Sequence, residues 1–357
     1  MIDRQTSSVI PIIDLNQEGS GEIMVKACRE HGFFYIDNRK GQAIPISLVE
    51  EVKKKQEEFF ALPLEVKEKY AMESSRFQRG YLGLTSTYIQ DADKEKKELS
   101  RPYSRNESFV FGSPCFFNDV KKTGIQDGNL YPTELGPEFE TMIKQYTQSL
   151  WKVKDKILAH LAPYLCADKL RKGNTYIGEN WKEAFSEVLW ALRLLYYPAY
   201  KGTLSPHTDF GILTIVQQDQ TGGLQIWFEE KWIDVNPIPN TFIVNIGDML
   251  QEWSSGQLKS TRHRVVVDTE KPRYSWPFFV VTDKSCEMFS EKKKGWEFPY
   301  RHQTQRLYQF IKYLYDSVEN PETCLEGKSP EEIDAFHQEV IQSRLDSSQS
   351  TKTDDLS

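Results

Sequence analysis

A histidine and an aspartate stand two residues apart in the sequence, immediately before a strongly β-prone run. They are His207 and Asp209 of the segment SPHTDFGILTIVQQ. Because alternate residues of an extended segment point to the same side, the imidazole and the carboxylate can reach one point in space. A third candidate, His263, stands at the start of another β-prone run, in STRHRVV. The three residue types together form a candidate metal-binding set.

Two histidines and one carboxylate are the facial triad that is diagnostic of a non-haem Fe(II) oxygenase site. Three protein ligands on one side of the metal leave positions open for a bidentate co-substrate and dioxygen. Both imidazoles must be neutral to bind, so metal affinity is expected to fall in acid. An HxD pair alone is a weak indicator, since most such pairs are surface or hydrogen-bonded residues. We interpret the other histidines as ordinary residues of helices or loops: His31, His160, His302 and His337.

An arginine and a serine follow the third candidate ligand in KPRYSWPFFVV. Arg273 and Ser275 are again two residues apart and therefore share one face of a strand. A guanidinium fork beside a hydroxyl can hold a carboxylate through bidentate ionic hydrogen bonds and one neutral donor. An R-x-S pair means nothing in isolation, but after an iron-type triad it predicts a clamp for 2-oxoglutarate.

The second half of the chain consists of short β-prone runs broken by turn residues. They read VLWALRLLYYP, GILTIVQQ, GLQIWF, KWIDV, TFIVNIG, STRHRVVVD and SWPFFVV. Several short strands at near-regular spacing imply a barrel or a double-sheet jelly roll.

The first half is mixed, with helices prominent. VIPIIDL and HGFFYI predict short strands, whereas EIMVKACRE and ISLVEEVKKKQEEFF predict helices, the second one stopped by Pro63. Residues 74–106 are rich in charged and turn residues and predict a loop region. The best helical pattern of the chain is FETMIKQYTQSLWKVKDKILAHLAPYL. Its apolar stripe is Met142, Tyr146, Leu150, Val153, Ile157 and Leu161.

Composition bounds the classes of protein that the chain can belong to. The 357 residues are 39% hydrophobic and 13% aromatic, as in a folded globular protein. A formal net charge of −7 gives no electrostatic footprint for nucleic acid. Five scattered cysteines without CxxC spacing fit a reducing compartment, and no run is apolar enough for a membrane span. We expect a cytoplasmic monomer that binds neither nucleic acid nor membrane.

The central segments resemble the isopenicillin N synthase-like branch of the 2-oxoglutarate/Fe(II)-dependent dioxygenases. HTDFGILTIVQQDQTGGLQI, FIVNIGDMLQEWSSGQLKSTRHRV and RYS resemble the family's central blocks in order and spacing. HGFFYI, FFALPLEVKEKY and RGYLG resemble its N-terminal region. The resemblance covers most of residues 8–320, but neither the insert around STYIQDADKEKKELS nor the tail after about Asn320 matches a known block.

This resemblance implies a mixed α+β fold with a double-stranded β-helix, or jelly roll. Residues 1–183 would be a mostly helical region packed on the core, and residues 184–320 the Fe(II)/2-oxoglutarate catalytic core with the following helix. Beyond the segment that the resemblance covers, the sequence pattern itself predicts a helical extension at residues 321–345, in which Ser329 and Glu332 are placed as a capping box. Residues 346–357 would be a disordered tail. The helix RLYQFIKYLY fits a lid over the barrel mouth and simple packing equally well.

The resemblance also implies roles for single residues. His207, Asp209 and His263 would bind iron, and Arg273 with Ser275 would hold the distal carboxylate of 2-oxoglutarate. Tyr197 matches a position that often adds a hydrogen bond to the co-substrate. The family often has asparagine two residues before that tyrosine, where this chain has Leu195, so that polar contact is expected to be absent. Asn245, Gly247 and Asp248 also match, and we interpret them as turn and scaffold residues.

Substrate residues are less clearly indicated. Arg79 and Tyr81 lie where relatives often contact substrate. The aromatic candidates are open to plain core packing as the alternative, and Arg193 fits a substrate role and a buried ion pair equally well. The further candidates for lining the substrate site are Glu107, Phe109, Arg193, Trp253 and Trp276.

The sequence thus predicts an oxygenase that uses Fe(II), 2-oxoglutarate and O2 on a small molecule, with release of succinate and CO2. Hydroxylation, desaturation and cyclisation are all open as outcomes, in specialised or amino-acid-related biosynthesis. One alternative is an iron oxidase of the same family that needs no 2-oxoglutarate and uses the R-x-S pair on the substrate's own carboxylate. Another is a jelly roll that binds a ligand without catalysis, although a receptor has no need of three iron ligands.

Overall fold

The computed structural model describes most of the chain up to residue 281, and every structural statement below concerns these residues. The described ranges are 10–72, 79–84, 104–112, 129–164, 171–172, 175–176, 189–200 and 202–281. Their α-helices are α1 Ser20–Glu30, α2 Ile46–Phe60, α3 Leu64–Lys67, α4 Glu138–Leu161 and α5 Asp248–Trp253. Single 3-10 turns are Glu68–Tyr70, Thr133–Leu135 and Ala162–Tyr164.

Strands come from both halves of the described chain. The first seven are β1 Ile12–Ile13, β2 Phe33–Asp37, β3 Gly80–Leu82, β4 Ser104–Arg105, β5 Glu107–Gly112, β6 Arg171–Lys172 and β7 Thr175–Tyr176. The next four are β8 Leu189–Tyr197, β9 Thr203–His207, β10 Leu213–Gln218 and β11 Leu224–Phe228. The last four are β12 Lys231–Asp234, β13 Thr241–Ile246, β14 His263–Val266 and β15 Arg273–Val281.

Two sheets pack against each other as a jelly roll. The larger sheet has eight strands in the order β1-β2-β13-β10-β15-β8-β5-β3, and the smaller has five in the order β12-β11-β14-β9-β4. Between them lies a core that includes Tyr35, Leu195 and Tyr197 of the larger sheet with Ile226 and Val265 of the smaller. We call the face of the larger sheet that carries Leu195 and Tyr197 the interior face. The predicted mixed α+β jelly roll is confirmed.

The opposite face of the larger sheet, the helix-side face, is covered by helices. A second and larger core there joins Leu192, Leu194 and Phe278 of the sheet to residues of α1, α2 and α4. From α2, Gln56 donates its Nε2 hydrogens to the backbone oxygens of Leu195 (2.7 Å) and Ser275 (3.2 Å). The two cores on either side of the sheet fix which way each side chain of β8 and β15 points.

Helix α4 forms where the sequence predicts the strongest helix. Its bounds, Glu138–Leu161, contain the whole predicted stripe, and every member of that stripe is buried: Met142, Tyr146, Leu150, Val153, Ile157 and Leu161. Because one face of the helix is apolar and the other charged, burial against the sheet drives its packing. Burial of apolar surface stabilises a folded protein by about 25 cal/mol per Å². The buried stripe therefore makes this helix an important part of the helix-side core.

Several strands lie where the sequence did not indicate them. The predicted loop region 74–106 contains β3 and β4, which pair with β5 and β9. The N-terminal region, expected to be mostly helical, contributes β3 and β5 to the larger sheet in addition to β1 and β2, which lie in the two predicted strand segments. Strand β9 ends at His207, although the β-prone run was placed after it. The boundary between residues 183 and 184 stays a prediction.

Other sequence predictions concern segments outside the described residues. They include the insert at residues 85–100, the helix RLYQFIKYLYDSV, the capping box at Ser329 and Glu332, and the tail at residues 346–357. Among the described helices, none has both the length and the apolar character that crossing a membrane requires.

Candidate metal centre

The two histidines of the predicted set come from adjacent strands of the smaller sheet. His207 is the last residue of β9 and His263 the first of β14, and the two are direct partners in the antiparallel register. Their ring centroids are 4.3 Å apart. His263 is buried, whereas His207 is partly exposed. The two imidazoles therefore lie side by side at the ends of two neighbouring strands, and the ring of His207 is partly accessible to solvent.

Asp209 approaches both rings from the loop between β9 and β10. Its Oδ1 lies 3.7 Å from the Nε2 of His207 and 3.7 Å from the Nε2 of His263. These potential ligand atoms lie within 4.8 Å of one another. We call His207, Asp209 and His263 the metal triad.

The other oxygen of Asp209 is held from the larger sheet. Oδ2 accepts hydrogen bonds from Thr214 Oγ1 at 2.5 Å and from Asn245 Nδ2 at 2.7 Å. Burial raises the pKa of Asp209, but the neighbouring His263 and His207, together with these two hydrogen bonds, outweigh burial and lower the pKa below its ordinary value. The carboxylate is therefore ionised, oriented, and directed with Oδ1 at the two imidazoles.

Hydrogen bonding also orients His263. Its Nδ1 lies 3.0 Å from the backbone oxygen of Thr261, a distance at which an Nδ1–H donates to that carbonyl. With the proton on Nδ1, the lone pair of Nε2 points toward Oδ1 of Asp209. The ring of Phe33 contacts His263 edge-on, with centroids 5.6 Å apart.

This donor set fits ferrous iron. Two imidazole nitrogens and one carboxylate oxygen are the ligand types of the facial triad, and they lie on one side of the point they surround. The partly exposed His207 leaves the other side accessible. Such a set can hold a divalent metal and leave coordination positions for further ligands.

A buried arginine lies deeper on the interior face. Arg273 is 1% exposed, and its Nη1 donates to Ser275 Oγ at 2.8 Å while its Nη2 donates to Gln218 Oε1 at 3.0 Å. Its guanidinium carbon lies 5.0 Å from the ring centroid of Tyr197. Burial lowers the pKa of Arg273.

Arg273 forms no close ion pair with a carboxylate among the described residues, and the negative charge of Asp219 acts on it only at longer range. No described carboxylate lies within 4 Å of it, and its Nε–H has no acceptor there. A buried cation without an anion is costly, which favours binding of an anionic ligand. Tyr197, whose pKa is raised by burial, adds a hydroxyl beside the guanidinium. Together with Ser275 these groups can hold a carboxylate, and we call Arg273, Ser275 and Tyr197 the carboxylate clamp.

Clamp and triad share one interior. On β10, Thr214 contacts Asp209 and Gln218 contacts Arg273, and both side chains point to the interior face. Four residues separate them, about 13 Å along the strand. The clamp and the triad therefore lie along the same strand of one interior face.

Two of the predicted substrate residues form a buried polar group on the helix-side face instead. Oε2 of Glu107 accepts from Lys67 Nζ at 2.6 Å and from the hydroxyl of Tyr81 at 2.6 Å. Glu107 pairs in register with Tyr196, which packs against the helix-side core. These contacts satisfy Glu107 and Tyr81 within the protein and do not favour contact with substrate.

Three aromatic candidates also lie in the helix-side core. Phe109, Trp253 and Trp276 are each 1% exposed and belong to the cluster that the helices cover. Trp276 follows Ser275 directly in β15 and must point to the opposite face. These side chains act in packing. Arg193, two residues before Leu195 on β8, faces the interior instead, and the guanidinium of Arg79 lies against Gly112 of β5.

Three residues that hold the site were not among its predicted members. Thr214 and Asn245 orient Asp209, and Gln218 contacts Arg273. Asn245 was interpreted as scaffold, and its amide fulfils that task at the carboxylate itself. The even spacing of Thr214 and Gln218 in LTIVQQ is the one signal that could have indicated them, because residues four apart share a face of β10.

Comparisons with known proteins agree with this geometry. A family model for the 2OG-Fe(II) oxygenase superfamily matches residues 190–282, and one for the non-haem dioxygenase in morphine synthesis N-terminal region matches residues 10–134. Flavonol synthase 1 of Crocosmia x crocosmiiflora is 31% identical over 278 residues, 76% of this chain and 75% of that protein. Jasmonate-induced oxygenase 2 of Arabidopsis thaliana is 31% identical over 292 residues, 78% of this chain and 71% of that protein.

A solved structure shows the same architecture. A full-length Neurospora crassa protein, crystallised in complex with alpha-KG and thymine, superposes with a TM-score of 0.58 at 26% identity. The match covers 77% of this chain and 86% of that one.

Proposed function

The chain belongs to the 2-oxoglutarate/Fe(II)-dependent oxygenase superfamily, and we propose that it oxidises its small-molecule substrate at the metal triad. It is an oxidoreductase of the 2-oxoglutarate-dependent dioxygenase type. The assignment of single residues is supported above all by Asp209. One of its oxygens is held by the sheet, and the other lies at equal distance from two imidazole nitrogens.

In this proposal His207 and His263 bind ferrous iron through Nε2 and Asp209 binds it through Oδ1. Thr214 and Asn245 keep Oδ2 occupied, so the carboxylate presents a single oxygen to the metal. The Nδ1–H of His263 donates to the backbone oxygen of Thr261, and this hydrogen bond stabilises the tautomer in which Nε2 is free to bind metal. The protein thus presents ligands that are already oriented before metal arrives.

The carboxylate clamp holds the distal carboxylate of 2-oxoglutarate. Arg273 supplies ionic hydrogen bonds, Ser275 and Tyr197 supply neutral donors, and Gln218 fixes the guanidinium plane. Leu195 lies in register with Ser275 and adds no polar group, as the sequence indicates. The buried clamp excludes water from this end of the co-substrate.

When bound, iron and 2-oxoglutarate supply the oxidation of a substrate C–H by dioxygen, with release of succinate and CO2. The protein's part is to hold the co-substrate in the dry interior and to position the substrate at the open side of the triad. For hydroxylation, one oxygen atom of O2 enters succinate and the other enters the alcohol. Desaturation and cyclisation use the same residues and stay open as outcomes.

Succinate formation tests the proposed function. Purified protein in air with Fe(II), 2-oxoglutarate and candidate substrates is expected to release succinate, and Asp209→Ala is expected to lose both iron binding and turnover. Asp234→Asn is the matched control, since Asp234 is exposed on the edge strand β12. Absence of succinate with any substrate, at full iron loading, would favour an oxidase that does not use 2-oxoglutarate. Unchanged ligand binding by an iron-free Asp209→Ala variant would favour a binding protein.

A cytoplasmic location, a monomeric state and the lack of binding to nucleic acid stay predictions of the sequence. The net charge of −7 supports the lack of binding to nucleic acid, and the scattered cysteines support a reducing compartment such as the cytoplasm.

A further inference from the structure

A glutamine of helix α2 lies behind the carboxylate clamp, on the helix-side face of the larger sheet. On the premise of the proposed function, we propose that Gln56 is a positioning residue for 2-oxoglutarate. It fixes the spacing of the two strands whose side chains form the clamp, and it acts from the opposite side of the sheet. The affinity for 2-oxoglutarate and the selectivity for its length therefore depend on this amide.

Gln56 stands at an apolar position of α2. The buried side chains of this helix are Val49, Val52, Gln56, Phe59 and Phe60. Intervals of three and four residues place the first four on one face of the helix, and that face packs on the sheet. Gln56 is 0% exposed. Burial of an amide in such a core is unfavourable unless the amide forms hydrogen bonds.

The side-chain amide of Gln56 joins the backbones of the two clamp strands. Its Nε2 donates to the backbone oxygen of Leu195 on β8 at 2.7 Å and to that of Ser275 on β15 at 3.2 Å. Leu195 and Ser275 are direct partners in the antiparallel register. Because both acceptors are carbonyls, the amide uses both of its hydrogens, and the reverse orientation would place oxygen against oxygen. Helix α2 thus links the two strands at one row of the sheet.

The clamp lies on the other side of the sheet at the same row. Ser275 is itself a clamp residue, and Tyr197 and Arg273 form the next pair of the register on that face. Tyr197 comes from β8, whereas Arg273 and Ser275 come from β15. The distance between the two strands therefore sets the distance between the donors of the clamp, and Gln56 bridges this distance.

A proline makes the spacing of these strands more dependent on the contact from α2. Pro277 of β15 has no backbone N–H to donate to β8. After Ser275, the next paired residue of β15 in the register is Phe278. Strand β15 lies between β10 and β8, a position in which proline removes a hydrogen bond of the ladder. The bridge from α2 thus lies beside a weakened part of the ladder.

The other atom of the amide indicates that Gln56 does more than stabilise the core. Its Oε1 is buried and has no hydrogen-bond donor among the described residues. A buried acceptor without a donor destabilises a folded protein. An apolar side chain of the same length would remove this disadvantage, but it would also remove the link between β8 and β15.

Anaerobic calorimetry on the iron-loaded full chain tests the positioning role. The probes are 2-oxoglutarate and 2-oxoadipate, which is one methylene longer. Gln56→Met keeps the length of the side chain but has no donor. We expect it to bind 2-oxoglutarate at least about threefold more weakly, because two hydrogen bonds to the clamp strands are lost. Its selectivity for 2-oxoglutarate over 2-oxoadipate is expected to fall at least about twofold, since a less rigid clamp distinguishes length less well.

An iron titration and a second variant separate positioning from general loosening of the core. Iron affinity of Gln56→Met is expected to stay close to that of the wild type, since the amide bonds to the clamp strands. Val52→Ala is the matched control, because Val52 is also 0% exposed on the same face of α2 but has no hydrogen-bond donor. This control is expected to lower Tm and to leave the affinities for both acids unchanged. An equal loss of affinity for 2-oxoglutarate in Val52→Ala would overturn the proposal.

The remaining outcomes distinguish this inference from the proposed function. If Gln56→Met binds both acids as the wild type does, Gln56 does not position the clamp. Should Gln56→Met fail to fold, Gln56→Asn decides by the same criteria, because it keeps the amide on a side chain that is one methylene shorter. Failure of the iron-loaded wild type to bind 2-oxoglutarate contradicts the proposed function. Binding by the wild type with an unchanged variant contradicts only the role of Gln56.

Discussion

At the scale of single residues, the two oxygens of Asp209 have different tasks. Oδ2 is engaged by Thr214 and Asn245, and Oδ1 lies 3.7 Å from each imidazole Nε2. Partners that orient a metal ligand typically change metal affinity by about 10- to 100-fold when removed. On the proposed assignment of the ligands, the orientation of this one carboxylate therefore sets how well the triad binds iron.

Removal of the Thr214 hydroxyl tests that dependence. Thr214→Val keeps the shape of the side chain but loses the 2.5 Å bond to Oδ2. We expect iron affinity to fall about 10- to 100-fold, with Thr214→Ser restoring most of it. Anaerobic titration with Fe(II) measures this, and equal affinity of the valine variant and the wild type would show that the bond does not orient the ligand.

The clamp gives a separate prediction at this scale. Arg273→Gln removes the buried cation, which forms no close ion pair with a described carboxylate, so the KM for 2-oxoglutarate is expected to rise at least about tenfold. Iron binding should stay close to that of the wild type, since Arg273 does not contact the triad. Steady-state kinetics at varied concentrations of 2-oxoglutarate measure the KM, and a titration with Fe(II) measures iron binding. An unchanged KM would remove Arg273 from the clamp.

At the scale of elements, the turn between α1 and β2 holds the segment that precedes His263. The Lys259 N–H donates to the backbone oxygen of Cys28 at 2.9 Å, and the Thr261 hydroxyl donates to that of His31 at 2.6 Å. The oxygen of Thr261 in turn accepts from His263. Helix α1 and the turn that follows it thereby help to position His263, a proposed metal ligand.

Gly32 makes this contact possible. Its φ is +69°, and a Cβ there would lie 2.2 Å from the backbone oxygen of Lys259 and 2.6 Å from Thr261 Oγ1. Gly32→Ala is expected to lower the free energy of unfolding by about 1–3 kcal/mol or more and to weaken iron binding. Gly19→Ala is the matched control, because Gly19 also has a positive φ but no atom within 4 Å of the added Cβ.

Thermal unfolding of the two alanine variants, with and without Fe(II), separates the effect of backbone strain from that of the steric clash between the added Cβ and Lys259. Gly19→Ala should cost only the strain, on the order of 1 kcal/mol, and leave iron affinity unchanged. If both variants behave alike, the close approach to Lys259 does not position His263.

Sequence patterns predicted some elements of the site and missed others for physical reasons. The strands that carry His263, Arg273 and Ser275 are evident as β-prone runs. Strand β9 is not, because Pro206 lacks a backbone N–H and argues against a strand. Strand β5, ESFVFG, is buried on both faces and shows no alternation of polar and apolar residues.

Sequence patterns also predicted the face on which a side chain lies better than the residues that it contacts. The position of Trp276 on the helix-side face follows from its place next to Ser275, so the sequence did contain that information. The pairing of Glu107 with Lys67 did not follow from any pattern, since 40 residues separate them and only the packing of α3 on the sheet brings them together. Local periodicity indicates faces, whereas contacts between distant segments require the fold.

At the scale of the whole molecule, the metal triad joins the two sheets. His207 and His263 belong to the smaller sheet, and Asp209 is tied to the larger sheet by Thr214 and Asn245. A metal bound to all three residues therefore links the two sheets to each other. It can do so only in the folded protein, because the unfolded chain does not bring the three ligands together.

Iron is expected to stabilise the fold by mass action. At a free concentration about 100 times its Kd, a ligand of the native state adds about 2.7 kcal/mol, which corresponds to roughly 5 °C in Tm for a domain of this size. Differential scanning calorimetry with Fe(II), without oxygen, should show this increase, and a chelator should abolish it. Asp209→Ala is expected to show no increase; an equal shift in that variant would place the iron elsewhere.

An anaerobic crystal structure with Fe(II) and 2-oxoglutarate, recorded at the iron absorption edge, is the most direct test of the central claim. We predict one anomalous peak at bonding distance from Nε2 of His207, Oδ1 of Asp209 and Nε2 of His263, with a carboxylate of 2-oxoglutarate on Arg273. A peak at any other place, or a triad without metal in crystals that contain bound 2-oxoglutarate, would contradict the account.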